Sequence, residues 1–186
     1  MHIQQIFDRH PVTLSLEFFP PKTPQATQEL LDAVNEYASL KPAFVDITYG
    51  AGGSTRESTY ELVTRLARET QLDPIPHLTC VCHDQDTIQQ ILEKYAQAGI
   101  SNILALGGDL PRDKQDWDRS KDAFRYAGQL VAFIHKFNQT GRHPDKRGFG
   151  IGVAGFPEGH PATPNRLTEL DHLKAKIDAG ADYIVT

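Results

Sequence analysis

At 186 residues, 39% hydrophobic and 23% charged, the chain is long enough to bury one sizeable core. Its formal charge of −5 argues against a surface built for nucleic acid or an anionic membrane, and no apolar stretch approaches the length of a membrane span. The N-terminus Met1-His2-Ile3-Gln4-Gln5 lacks the regions of a signal peptide, and the two cysteines, Cys80 and Cys82, stand too close to staple a fold, so a reduced, cytoplasmic setting is expected.

The first strand is expected over residues 13–18, stopped by Pro20 and Pro21. Its alternation sends Leu14, Leu16 and Phe18 toward a helix layer, and Thr13, Ser15 and Glu17 toward whatever the sheet encloses. A glutamate held there is a candidate for a carboxyl kept protonated near neutral pH. Burial can lift a carboxyl by about 3–5 pH units, and a general acid at pH 7 needs about 2–3 of them. The alternative is an inward Glu17 paired with a lysine or arginine across the sheet.

A helix carrying Leu30, Leu31, Val34 and Tyr37 follows Thr23-Pro24, and a strand is expected over 43–49. Leu62, Val63 and Leu66 mark the next helix, opened by Ser54 or Thr55, before a strand over 75–81. Ile88, Ile91, Leu92 and Tyr95 mark a third, with Asp84 as N-cap and Gly99 as its stop. A strand over 102–106 leads into a charged stretch, 111–121, read as a flexible excursion. Phe124, Leu130, Val131, Ile134 and Phe137 mark the fourth helix, and 138–147 forms a second polar connection. A strand over 149–156, a helix carrying Leu167, Leu170, Leu173 and Ile177, and a strand over 182–186 complete the series. Ala98-Gly99-Ile100 and Ala179-Gly180-Ala181 read as one helix-to-strand turn used twice.

Strand–helix units of about thirty residues imply a parallel sheet with helices outside it, either an open α/β sheet or a (β/α)8 barrel. Polar side chains cluster at the strand ends: Glu17, Thr48, His77, Asp109, Glu158 and His160. A barrel gathers all these ends around one mouth, whereas an open doubly wound sheet favours a glycine-rich first turn. Here the first turn is Phe18-Phe19-Pro20-Pro21, which favours the barrel.

Three glycine segments and one histidine segment invite ligand readings. Gly50-Ala51-Gly52-Gly53 could present amides to a phosphate or be a tight turn alone, and it lacks the spacing and lysine of the common phosphate loops. Gly107-Gly108-Asp109 would let backbone approach a flat ligand with a carboxylate beside it. Gly150, Gly152 and Ala154 share one strand face, the mark of close approach by a ligand or another backbone. His77 and Thr79 share a face while Cys80 and Cys82 take the other, so these residues do not converge on a metal, and His77 reads as a ligand contact.

Six of these segments occur in order: Glu17-Phe18-Phe19-Pro20-Pro21, Thr48-Tyr49-Gly50-Ala51, Pro76-His77-Leu78-Thr79-Cys80, Leu106-Gly107-Gly108-Asp109-Leu110-Pro111, Phe156-Pro157-Glu158-Gly159-His160-Pro161 and Lys176-Ile177-Asp178-Ala179-Gly180-Ala181. In this the chain resembles the methylenetetrahydrofolate reductase family over nearly its whole length. The resemblance implies a flavin-bearing (β/α)8 TIM barrel whose FAD takes hydride from NADH or NADPH and passes it to 5,10-methylenetetrahydrofolate, giving 5-methyltetrahydrofolate by turns at one flavin face. It implies that Glu17 is the general acid that opens the folate ring, and that Asp109 is a carboxylate beside flavin and pterin. It further implies flavin contacts at Thr48, His77, Gly107, Gly108, Asp109, Tyr126, Ala127, Phe156, His160 and Lys176, with Lys176 on an FAD phosphate. Without the resemblance, Lys176 reads as a solvated helix lysine and Tyr126-Ala127 as helix packing.

The chain departs from the family pattern in places. Gly107 stands where some members carry arginine, Phe156 replaces a frequent tyrosine, and Glu169 and His172 stand near further flavin contacts. Six strands are visible where a barrel needs eight in about 250 residues. Residues 1–186 therefore read as a partial barrel domain lacking its C-terminal strands. Alone, such a chain is expected to expose sheet edges and to aggregate or bind FAD poorly, while the full-length protein is expected to be a homo-oligomer. Two other readings stay open: an inactive fragment or interaction remnant of such an enzyme, and a barrel enzyme that binds a pterin or phosphorylated substrate without flavin.

Overall fold

A computed structural model of the chain describes residues 1–160, 163 and 165–186. Pro161, the last residue of the fifth family motif, lies outside them. Six parallel strands pair in the order of the sequence: β1 (Ser15–Phe18), β2 (Phe44–Ile47), β3 (Pro74–Thr79), β4 (Asn102–Leu106), β5 (Gly150–Ala154) and β6 (Tyr183–Val185). Helix α1 (Ile3–Arg9) precedes them. Helices α2 (Pro24–Tyr37), α3 (Arg56–Glu69), α4 (Gln85–Gln97), α5 (Ala127–Gln139) and α6 (Arg166–Asp178) follow β1 to β5 in turn. A doubly wound sheet reverses its strand order at a switch point. The strict succession here is that of a half-barrel wound in one direction.

The period-two alternation of the strands divides the core into two layers. Val45, Ile47, Leu78, Cys80, Ile103, Ala105, Ile151 and Val153 face outward and pack with Leu62, Leu66, Ile88, Leu92, Leu130 and Ile134 from the helices. Leu16 and Phe18 join this layer, as the alternation of the first strand predicts. Phe44, Ile75, Leu104 and Tyr183 face inward and form a separate cluster with Ile3 and Ile6.

Helix α1 has no counterpart in the sequence reading. It has only seven residues, and its cap is His2 in place of a serine, threonine, asparagine or aspartate. Tertiary contacts hold it: Asn102 at the start of β4 accepts from the Ile3 amide at 2.7 Å and donates to the Met1 carbonyl at 2.8 Å. The helix therefore plugs the N-terminal end of the sheet, opposite the carboxyl ends of the strands.

The expected strands all occur, most of them shorter by one or more residues. Thr23 and Asp84 cap α2 and α4 through their side chains, and Gly99 and Gly180 end α4 and α6 at φ +74° and +109°. Thr55 precedes α3, yet its hydroxyl accepts from the Gly50 amide at 2.7 Å and closes the glycine turn. Gly53 and Ser54 donate their amides within the same turn, so the segment is a self-satisfied turn rather than an open anion cradle. The glycine row of β5 is likewise filled from within. A Cβ at Gly152 would run into the Tyr183 ring, and one at Gly150 would lie 2.5 Å from Asn102 Oδ1, so the close approach is made by side chains of this chain.

The charged excursion 111–121 is pinned. Asp122, whose side chain is fully buried, accepts from the Cys82 amide at 2.8 Å, from Trp117 Nε1 at 2.8 Å and from Arg119 Nε at 2.9 Å. Among the described residues β1 and β6 each pair on one side only, so the expected sheet edges are present. Apolar side chains flank both edges: Leu14 and Phe19 beside β1, and Leu167 (74% exposed), Leu170 (60% exposed), Ile184 and Val185 beside β6.

Candidate functional site at the carboxyl ends of the strands

The inward face of β1 to β3 carries polar groups just above the apolar plug. Glu17 and Asp46 are register partners on adjacent parallel strands, so both side chains stand on the same face. Asp46 Oδ1 lies 4.0 Å from His77 Nε2 on β3, a distance too long for a hydrogen bond. Asp46 Oδ1, His77 Nε2, Thr79 Oγ1 and Tyr183 Oη are all buried without a hydrogen-bond partner among the described residues. Such atoms are rare in folded proteins, and four on one inner surface mark a place suited to a polar ligand.

Burial explains the electrostatics of this group. It pushes the Asp46 carboxyl from its ordinary 3.8 up to about 7, with the charge of Glu17 adding to the effect. It also pushes the His77 imidazole from 6.5 down to about 4. Through the window between, the pair is neutral, with the proton on Asp46.

Glu17 is exposed at the rim, so the expectation of a buried glutamate needs correction: the buried carboxyl is Asp46, one strand over. Glu17 has no ion pair among the described residues, which also removes the cross-sheet lysine or arginine. Asp46 went unremarked in the sequence, although a single charge inside Phe44-Val45-Asp46-Ile47, on the parity of Thr48, was the available signal. Tyr183 was missed too, because its reach across the interior depends on Gly152.

The next strand end supplies backbone. Gly108 has φ +81°, and a Cβ there would lie 2.6 Å from Thr79 Cβ, so only glycine permits this turn. Among the described residues nothing lies within 4 Å of a Cβ position at Gly107, which presents an open surface, with Asp109 exposed beside it. Thr48, half-buried, is held through its backbone groups: its amide donates to the Phe18 carbonyl at 3.0 Å, and its carbonyl accepts from Thr59 Oγ1 at 3.2 Å.

A second polar group lies where α5 and α6 meet the end of β5. Tyr126, 55% exposed at the N-cap of α5, stacks on His172 with ring centroids 6.0 Å apart. Ala127 begins α5 beside it. Glu169, His172 and Lys176 fall at i, i+3 and i+7 on α6 and share a face. Glu169 is buried and accepts from Thr163 Oγ1 at 2.8 Å. Lys176 Nζ donates to the Ala154 carbonyl at 2.7 Å; burial pulls its pKa down, and the Glu169 charge opposes that. This lysine is thus tied to the end of β5 and is no freely solvated side chain. Phe156 and His160 contact each other edge to face at 4.6 Å in the β5–α6 connection.

The sequence-read residues therefore fall in two neighbourhoods of one sheet end. Glu17, His77 and Gly108 belong with Asp46 and Thr79, while Tyr126, Ala127 and Lys176 belong with His172 and Glu169. Cys80 lies in the outer layer, its thiol pushed by burial up to about 12, on the opposite face from His77.

A parallel α/β half-barrel with buried polar groups at its carboxyl strand ends defines the class as an α/β protein of the half-barrel type. The chain is similar in fold, at TM-score 0.57 and 16% identity, to the crystal structure of phosphonopyruvate hydrolase in complex with oxalate and Mg++, matched over 99% of this chain and 62% of that one. That likeness concerns architecture alone. The sequence model of the methylenetetrahydrofolate reductase family matches residues 2–186, and the chain belongs to that family. It is 41% identical over 178 residues to methylenetetrahydrofolate reductase 2 of Saccharomyces cerevisiae, covering 94% of this chain and 28% of the relative. It is 35% identical over 175 residues to 5,10-methylenetetrahydrofolate reductase of Pectobacterium carotovorum subsp. carotovorum, covering 94% of this chain and 54% of the relative. The chain thus spans between about a quarter and about half of the length of these relatives.

Proposed function

We propose that this chain is the flavin-bearing part of a reductase that uses NADH or NADPH to convert 5,10-methylenetetrahydrofolate to 5-methyltetrahydrofolate. The observation that carries the reading is the coincidence of family membership with unsatisfied buried polar atoms at the strand ends, His77 Nε2 and Thr79 Oγ1 above all. We place the six strands in a (β/α)8 barrel in which further strands cover β6 and β1. The exposed Leu167, Leu170, Ile184, Leu14 and Phe19 beside those edges support this.

The residues present suit FAD. The open face at Gly107 and the close-lying Gly108 would accept the flat ring system, and His77 and Thr79 would offer polar contacts to it. Tyr126, Ala127, His160, Phe156, Thr48 and Lys176 would hold the rest, with Lys176 exchanging its Ala154 contact for a phosphate. When bound, FAD supplies the hydride relay between nicotinamide and folate. The protein's own contribution is positional and protonic. Glu17, exposed at the rim, delivers a proton to the folate amine so that its five-membered ring opens. Asp109 places a negative charge where positive charge develops on the pterin.

The test is flavin absorbance of the intact protein, followed by its two half-reactions measured separately. Glu17→Gln is expected to lose folate-driven flavin reoxidation by about 10²–10⁴-fold, the usual range for a general acid, while keeping nicotinamide-driven flavin reduction. A colourless protein would sink the reading, and unchanged folate turnover in Glu17→Gln would remove Glu17 from the role.

A further inference from the structure

Asp46 has no assigned task in the reaction as proposed. It nevertheless sits one strand from Glu17 in exact register, on the same face, and deeper. The groups that face it come from three strands: Glu17 on β1, His77 on β3 and Tyr183 on β6. None is a lysine or arginine, and among the described residues no cation other than His77 comes within ion-pairing distance of Asp46. A purely structural buried aspartate is normally paired or fully hydrogen-bonded. Among the described residues Asp46 Oδ1 has no hydrogen-bond partner, and neither do the facing His77 Nε2 and Tyr183 Oη.

We propose that Asp46 and Glu17 work as one carboxyl pair sharing a single proton, Glu17 being the exposed acid that meets substrate and Asp46 the buried positioning residue that keeps the proton at the mouth. This rests on the reductase reading for its substrate, but the pairing itself does not. Burial, and after it the charge of Glu17 on the neighbouring strand, hold a proton on Asp46 well above the range of an isolated carboxylate. Burial biases that proton toward Asp46. The pair's one proton passes from Asp46 to Glu17 and from Glu17 to the folate nitrogen, leaving both carboxyls ionised until solvent returns a proton at the rim. No electron moves and no co-reactant is required.

The pairing is tested on flavin-free protein carrying 13C-labelled aspartate side chains. The carboxyl resonance that disappears in Asp46→Asn should titrate near neutrality, about 7, in the parent protein. In Glu17→Gln its midpoint should move to lower pH, because the neighbouring charge is gone. In Tyr183→Phe, which removes one hydroxyl from the same surroundings, the response to Glu17→Gln should persist. Titration of that resonance in the ordinary carboxylate range, or indifference to Glu17→Gln, would overturn the proposal.

A second readout reports its catalytic side. In Asp46→Asn the alkaline limb of folate-driven flavin reoxidation should move toward acid by about 2–3 pH units, with nicotinamide-driven reduction unchanged. A uniformly lower rate with an unmoved pH profile would reduce Asp46 to a structural residue. If the intact protein reduces no folate at all, the reductase reading fails while the resonance experiment still decides the pairing.

Discussion

The Asp46–His77 pair predicts an unusual pH dependence of stability, visible only when the two are separated by mutation. Asp46 has an ordinary value of 3.8 and sits at about 7 in the fold. The folded chain therefore keeps a proton that the unfolded chain releases, and stability falls as pH rises from about 4 to about 7, by about 4 kcal/mol in all. His77 has the opposite sign. Its value drops from 6.5 to about 4, so the unfolded chain takes up a proton that the folded one refuses. Stability then rises between about pH 4 and 6.5, by about 3 kcal/mol. Across the shared window the two slopes cancel, and the pair contributes almost nothing to the parent curve. In Asp46→Asn the rising contribution of His77 should stand alone, and in His77→Gln the falling contribution of Asp46 should stand alone. Urea unfolding followed by far-UV circular dichroism at pH 4.5, 5.5, 6.5 and 7.5 measures both against the parent. Mutant curves that run parallel to the parent would show that neither group titrates differently in the folded and unfolded states, and the account of the site's electrostatics would fall.

Two further perturbations probe the frame around the site. Asp122→Ala strips a partner from the Cys82 amide, Trp117 Nε1 and Arg119, at about 1–3 kcal/mol for each buried donor left unpaired. Trp117 is the sole tryptophan, so its emission should move to longer wavelength as the segment loosens, and an unchanged spectrum would mean that Asp122 does not hold it. Gly152→Ala should destabilise by about 1–3 kcal/mol through overpacking against Tyr183, and Tyr183→Leu in the same chain should recover part of the loss. Simple additivity of the two substitutions in denaturant unfolding would contradict the contact.

The elements read well from sequence wherever a repeated local signal existed. Strand parity placed Leu16 and Phe18 against the helices, Thr23 and Asp84 announced α2 and α4, and Gly99 and Gly180 ended α4 and α6. The losses were all long-range. Helix α1 depends on Asn102, some hundred positions later, for the bonds that hold it. Gly150 and Gly152 looked like room for a ligand because the residues that fill the room, Asn102 and Tyr183, come from neighbouring strands. A run of charges read as flexible at 111–121 is ordered by the one aspartate just past its end.

The carboxyls show why parity alone could not locate the site's proton. Alternation assigns Glu17 and Asp46 to the same inner face, and in that it is right. It says nothing of depth, which depends on what stands above each residue. Among the described residues Glu17 lies on an edge strand with a neighbour on one side only and is exposed; Asp46 has strands on both sides and Tyr183 before it. The same edge that exposes Glu17 also leaves Leu14 and Phe19 in solvent. Any element that covered β1 would therefore bury apolar surface and dry Glu17 in one step. Glu17, the proposed acid, would then stand between two neighbours at once, Asp46 on one side and the covering strand on the other. On this reasoning the surroundings of Glu17 are set by closure of the sheet around it, and the sequence of β1 carries only its position.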